Sequence, residues 1–280
     1  AGRLPASLSA SAIEALRQCP YRFFSRAVLH LSEHDELDDE ADKRDAGRWL
    51  HATLEQFHRD RAVPRSRLDD VARLLDVGQD ALARLAQEAG VSEESMLPFT
   101  AGLPQLADRY VRWLHEEEAR GWRFDAAEVT LKAVHEDDAG LRIHGRIDRI
   151  DRRGTDRRLI DYKTNSRKSL QRKVQPPLED TQLAVYAALQ LQQSGDSAGD
   201  LQACYLALDD PQVVTAVPHP SVADTARRLV HEVRAERARI DGGAPLPALG
   251  EGRVCETCEA RGLCRRDHWS AVQEEPAGAR

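Results

Sequence analysis

The sequence predicts an α/β protein with a central mixed sheet flanked by helices. Two observations predict it. Apolar residues recur with a helical period before about residue 120 and again after residue 180, whereas between Phe124 and Tyr162 the period drops to two. Helices come first, then three successive antiparallel strands, a helix, and further strand and helix, an order that suits a sandwich of helices around a sheet. At 280 residues the chain is long enough to bury a full core.

Each element has its own signal. Residues 11–14 (SAIE) have the spacing of a capping box, opening a helix whose apolar face carries Ile13 and Leu16. CPYRFF, residues 19–24, ends that helix and begins another. Residues 33–45 are acidic and read as a solvated loop. Residues 46–60 resume the helical period through Leu50, Leu54 and Phe57, and residues 68–88 and 103–119 are amphipathic helices divided by a loop at 92–98. The three strands from Phe124 to Tyr162 turn near residues 138–140 and at Gly154. Residues 182–193 read as a helix, 201–208 and 213–217 as strands, and 221–240 as a long helix. From Gly242 a Gly- and Pro-rich tail leads into a cysteine cluster.

Composition excludes some classes and leaves others open. No apolar run approaches the ~20 residues that cross a bilayer, so no membrane partner is expected, and no signal-peptide pattern is present. A cytoplasmic, nucleoid-associated location is expected. The chain lacks an initiator Met and is expected to be an excised piece, the end of a longer polypeptide. The net charge of −7 argues mildly against a non-specific coat on nucleic acid, but arginines concentrate locally at residues 146–158 and 167–173, so the total does not decide the matter.

The chemistry concentrates in HGRIDRIDRRGTDRRLIDYKT, residues 144–164. Side chains two apart on a strand share a face, so Asp161 and Lys163 point together and Tyr162 points into the opposite layer. Asp148 ends the alternating run Leu141, Ile143, Gly145, Ile147 and is placed at the end of the neighbouring strand. Two carboxylates can hold a hard divalent cation through oxygen, and a lysine beside them can polarise water or a developing phosphate charge. A hairpin with exposed charges also pairs Asp with Arg or Lys; apolar Ile160 and Tyr162 on either side of Asp161 argue against it. Of the five cysteines, Cys255, Cys258 and Cys264 form a C-x2-C-x5-C set that more often binds metal than forms disulfides in a cytosolic protein. Cys19, His268 and Cys204 are candidates for a fourth ligand, with Cys204 reading as a small buried strand residue. The spacing leaves zinc and iron open.

Taken together, these residues resemble the PD-(D/E)XK nuclease superfamily, and within it the RecB/AddB-type branch with its Cas4-like relatives. GRWLH (47–51) is similar to that branch's G-x-x-x-H helix motif, GRIDRID (145–151) and IDYKT (160–164) to its two acidic strand motifs, and QLAVY (182–186) to its Q-x-x-x-Y helix. CPYRFF with Cys255, Cys258 and Cys264 is similar to the iron–sulfur staple of AddB-type nucleases. Asn165 stands where the family often has Gly, and Asn tolerates a left-handed backbone better than most residues.

The resemblance implies a restriction-endonuclease-like core with a helical insert and an iron–sulfur-stapled C-terminal tail. It implies a single nuclease domain over 1–280, with a helical part (1–120), a catalytic core (121–240) and a cysteine tail (241–280), forming the C-terminal piece of a larger helicase–nuclease. His51, Asp148, Asp161 and the Tyr162 carbonyl would hold Mg2+ or Mn2+. Lys163 would activate water or stabilise charge at the phosphate, with Glu128 an auxiliary acid and Gln182 and Tyr186 supporting the site. Cys19, Cys255, Cys258 and Cys264 would hold a [4Fe–4S] cluster. The implied activity is a DNA exonuclease on single strands or duplex ends, working with a helicase partner in double-strand-break repair.

Rival readings are a Cas4-like nuclease in CRISPR adaptation, a catalytically silent module binding DNA or a helicase, and a zinc-stapled scaffold. A helix-borne zinc site at His51, Glu55 and His58 is a further alternative. Tyr110, Trp113 and Trp122 read as packing residues rather than base-stacking platforms.

Overall fold

The computed structural model describes residues 4–31, 42–61, 65–90, 92–135, 141–194, 199–249 and 252–266. The expected turn at 138–140, most of the acidic stretch and His268 lie outside these residues.

The helices begin where the sequence can satisfy their first N–H groups. β1 (Ser7–Ser9) runs directly into α1 (Ala10–Gln18), whose N-cap is Ser9, its hydroxyl accepting from Ala12 N–H. The cap read at Ser11 is thus two residues late, because a three-residue polar strand gives no periodic signal. Cys19 separates α1 from α2 (Pro20–Phe23), and a π-helical turn, Phe24–Val28, follows. α3 (Lys43–Asp60) opens on a capping box between Asp42 and Asp45, so the end of the acidic stretch is helix rather than loop. α4 (Arg67–Ala89) is capped by Ser66 and ends on Gly90 in the left-handed region. The segment expected as a loop at 92–98 holds a 3-10 turn (Glu94–Met96) and the start of α5 (Leu97–Thr100), ahead of α6 (Leu103–Ala119).

The sheet is mixed, as expected. β2 (Arg123–His135), β3 (Leu141–Arg153) and β4 (Asp156–Lys163) are antiparallel neighbours, with Gly154 at φ +60 in the turn between the last two. α7 (Arg167–Lys173), read only as a run of basic residues, and α8 (Thr181–Ser194) connect β4 to the parallel β5 (Leu201–Ala207). β6 (Thr215–Pro218) pairs antiparallel with β5, and α9 (Val222–Asp241) and the short α10 (Arg261–Cys264) complete the chain.

The sheet separates two cores. One, including Ile13, Phe23, Ile147, Leu183, Tyr205 and Leu229, lies beneath α1, α8 and α9. The other, including Trp49, Phe57, Val77, Tyr110, Ile160 and Leu206, lies beneath α3, α4 and α6. Tyr110, Trp113 and Trp122 are all buried, as their packing role requires. Cys204 is buried in β5.

Two features of β3 create the site. First, β2 pairs along one edge of β3, so β1 (at residues 142–144) and β4 (at residues 149–153) must share the other, leaving residues 145–148 between them. α8 packs closely against this gap: a Cβ on Gly145 would lie 3.1 Å from Leu189 and 3.2 Å from Tyr186, so any larger residue would have to push these side chains back. Second, the β2–β3 ladder is interrupted. Ala127 pairs with Arg149 and Val129 with Ile147, but Glu128, at φ +52, does not pair with Asp148. A left-handed glutamate costs about 1–3 kcal/mol. Beyond the interruption the alternation changes phase: Ile147 and Ile150 both face the first core, while Arg149 meets His58 and Tyr110 on the other side. Asp148 therefore lies inside a strand that continues to Arg153, not at a strand end.

Candidate metal and active site

His51, Glu128 and Asp148 converge on this interruption. Their ligand atoms lie within 4.8 Å of one another, and among the described residues they are the only His, Cys, Asp or Glu group that does so. α3 delivers His51, whose Nδ1 is 3.5 Å from Asp148 Oδ1 and 3.7 Å from Glu128 Oε1. Its ring stands edge-on to Tyr162. Burial alone would lower the His51 pKa, but hydrogen bonds to Asp148 and Glu128 and the charges of Asp148 and Asp161 outweigh it and hold the pKa at about 10. Without a cation, an imidazolium therefore sits between the carboxylates. Glu128 also pairs with Arg146.

Asp148 and Asp161 are adjacent but differently held. Tyr162 N–H donates to Asp148 Oδ2 at 2.9 Å, which locks the β3 carboxylate to β4. Asp161 Oδ1 accepts from Gln182 Nε2 at 2.6 Å, and Oδ2 pairs with Lys163 Nζ at 2.6 Å. Gln182 Nε2 also donates to the Tyr186 hydroxyl at 3.1 Å. Burial first, and the Asp148 charge second, push the Asp161 pKa up to about 6 despite Lys163. The two raised values differ in origin: the carboxylates around His51 outweigh its burial, whereas Asp161 is raised first by its own burial. The donor set, carboxylate oxygens with one imidazole, suits a hard divalent cation.

Seven of the expected site residues are thus brought into one place: His51, Glu128, Asp148, Asp161, Lys163, Gln182 and Tyr186. Tyr162 contributes its N–H, while its side chain points into the opposite layer and bonds Tyr110 at 3.0 Å. The rival helix-borne set is not assembled: His58 is buried against Tyr110 and Arg149, and Glu55 pairs with Arg59. Sequence reasoning missed Arg146 and Lys173, which contacts Gln182 Oε1. The only trace of either was its place in an arginine-rich or basic run.

A cavity of about 470 Å³ opens beside the site between α3, α4 and β2–β3. His51 and Glu128 line it together with Arg48, Arg84 and Arg146. A second, smaller pocket is formed by other parts of the chain. Cys19, Cys255, Cys258 and Cys264 all line it, with Arg22, Arg261 and Arg266 around them. Arg22 donates to Glu259, Arg26 pairs with the same carboxylate at 3.0 Å, and Tyr21 N–H donates to the Pro247 carbonyl, so the tail is tied to α2. Cys204, in β5, does not line this pocket. Burial, with Cys19 among the smaller causes, raises the Cys258 thiol pKa.

Comparison with known proteins identifies the family and the fold. The model of the PD-(D/E)XK nuclease superfamily matches residues 7–265. One subunit of an ATP-dependent helicase/deoxyribonuclease from Desulforudis audaxviator is 27% identical over 293 aligned residues, covering 96% of this chain. The chain spans 25% of the length of that relative. The crystal structure of a candidate exonuclease from Eubacterium rectale has the same fold, with a TM-score of 0.50 at 12% identity, covering 97% of this chain and 91% of that one.

Proposed function

The chain belongs to the PD-(D/E)XK nuclease superfamily, and from that membership we propose that it is a metal-dependent DNA nuclease acting on single strands or duplex ends. The observation that carries the reading is the convergence of His51, Glu128 and Asp148 beside the Asp161–Lys163 pair. His51, Asp148, Asp161 and the Tyr162 carbonyl would hold magnesium or manganese, with Glu128 in support. When bound, the cation supplies positive charge for the phosphoryl oxygens and lowers the pKa of water.

The protein's own groups do the rest. Lys163, anchored on Asp161, presents an ammonium to the attacking water or to the charge that develops on phosphate. Gln182 holds the other oxygen of Asp161. Tyr186 accepts from Gln182, which leaves its O–H free to donate to a phosphate. The cavity beside His51 would take the strand, with Arg48, Arg84 and Arg146 contacting phosphates without regard to sequence.

The four cysteines would hold a structural [4Fe–4S] cluster. The four cysteines line one pocket, and the positive charge of Arg22, Arg261 and Arg266 around it would offset the negative charge of a thiolate-bound cluster. The relative's name, and the 25% of its length that this chain spans, support reading the chain as the nuclease piece of a larger helicase–nuclease that acts with a helicase partner. Among the described residues no helix is long and apolar enough to cross a membrane.

The test is digestion of end-labelled single- and double-stranded DNA with and without magnesium. Asp161→Ala and Lys163→Ala should each lose roughly 10²-fold or more in rate while keeping the fold. Undiminished cleavage by either variant would sink the site.

A further inference from the structure

Lys173 closes α7, ten residues beyond Lys163, and none of the motifs includes it. Its Nζ donates to Gln182 Oε1 at 3.3 Å and lies 4.6 Å from the centre of the Tyr205 ring. Lys163 Nζ lies 5.7 Å from the same ring. The ring is itself held in place: the Tyr205 hydroxyl donates to Asp180 Oδ1 at 2.8 Å, and that oxygen also accepts from Leu183 N–H at the start of α8. The face of one aromatic ring thus serves two ammonium groups, a favourable placement for both.

A carboxamide has ends of nearly equal size and opposite polarity, so its partners decide which way it points. An ammonium only donates. With Lys173 on one side, Gln182 must present its oxygen there and its NH2 to Asp161 Oδ1 and the Tyr186 hydroxyl. The reverse orientation would set the amide oxygen 2.6 Å from a carboxylate oxygen and leave Lys173 facing an NH2 group. We propose that Lys173 is a positioning residue, fixing the Gln182 amide so that it clamps Asp161. Lys163 and Lys173 then govern the two oxygens of one carboxylate, the first directly and the second through an amide. The catalytic consequence rests on the nuclease reading above; the amide orientation does not.

The test has two readouts. With glutamine side-chain amides labelled with 15N, Gln182→Met identifies the Gln182 NH2 pair as the signals that vanish. Lys173→Met should move that pair toward the positions of exposed glutamines, and Lys173→Arg should leave it in place. In magnesium-dependent cleavage of single-stranded DNA, Lys173→Met should lower kcat about tenfold with KM nearly unchanged. It should have a much smaller effect in a Gln182→Met background, where only its longer-range charge on Asp161 remains to be lost. Lys173→Ala repeats the measurement if methionine repacks against Tyr205 and perturbs the fold. An unmoved Gln182 pair, additive losses, or a raised KM with unchanged kcat (a direct phosphate contact) would each overturn the proposal. Absence of cleavage by the unsubstituted chain would instead overturn the nuclease reading, and the amide signals would still decide the role of Lys173.

Discussion

His51 sits 3.5 Å from one carboxylate and 3.7 Å from another and is held at a pKa of about 10, so near pH 7.5 it is an imidazolium. An imidazole binds metal only when neutral. A cation entering the site must therefore displace that proton. Because the folded pKa lies above the ordinary value of 6.5, the favourable contribution of the protonated state is complete below pH 6.5 and is lost as pH rises through 10. Metal affinity should run the opposite way, tightening by up to about tenfold per pH unit across that window. Calorimetric titration of manganese in buffers of different ionisation enthalpy should find close to one proton released per ion at about pH 7.5, and far less in His51→Ala. No net release from the unsubstituted protein would show that His51 is not a ligand. His51 was legible because its helix has a motif. Lys173 was not, because a lysine in a basic run looks the same whether it faces water or an amide.

At the scale of the element, β3 decides the outcome. Its period of two was plain in the sequence, and so were α3, α4, α6, α8 and α9, whose apolar stripes are long. β1 and α7 were missed: three residues and one basic turn carry no period. The break at Glu128 and Asp148 was missed for a different reason, since a periodic reading assumes an unbroken pleat. The break has an energetic partner on the other face. Arg149, 1% exposed, donates to Asp151 Oδ1 at 2.6 Å, to the Tyr110 hydroxyl and to His58 Nε2, both at 2.9 Å. Arg158 joins Asp151 to Glu117 and stacks on Trp122. Two guanidiniums and two carboxylates thus balance one another beneath α6. Such an arrangement adds little stability over an apolar core, but removing one member strands the others. Arg149→Met should lower unfolding free energy by about 3–5 kcal/mol, read from urea denaturation followed by circular dichroism. A loss below about 1 kcal/mol would mean that the network is not holding β3 in place.

At the scale of the whole molecule, the sheet and its two cores are closed before the last segment of chain arrives. The tail beyond α9 has no strand to join; it reaches α2 through Glu259, Pro247 and the four-cysteine pocket. The sequence carried half of this arrangement, because C-x2-C-x5-C marks a ligand cluster, but pairing Cys19 with it depends on the path of the entire fold, and spacing alone left three candidates. A cross-link between Cys19 and the tail spans most of the chain, and a closure of that size removes about 5 kcal/mol of chain entropy from the unfolded state. Binding of the proposed cluster would add to this, because its ligands are brought together only in the folded protein. Cys258→Ala should therefore lose iron and sulfide together and melt about 10 °C or more below the unsubstituted protein. The candidate metal site is built by α3, β2 and β3, apart from the cysteine pocket, so manganese binding below the new melting temperature should persist. Full iron and sulfide content in Cys258→Ala would remove that residue from the ligand set; loss of manganese binding together with the cluster would mean that the staple shapes the catalytic site as well as closing the fold.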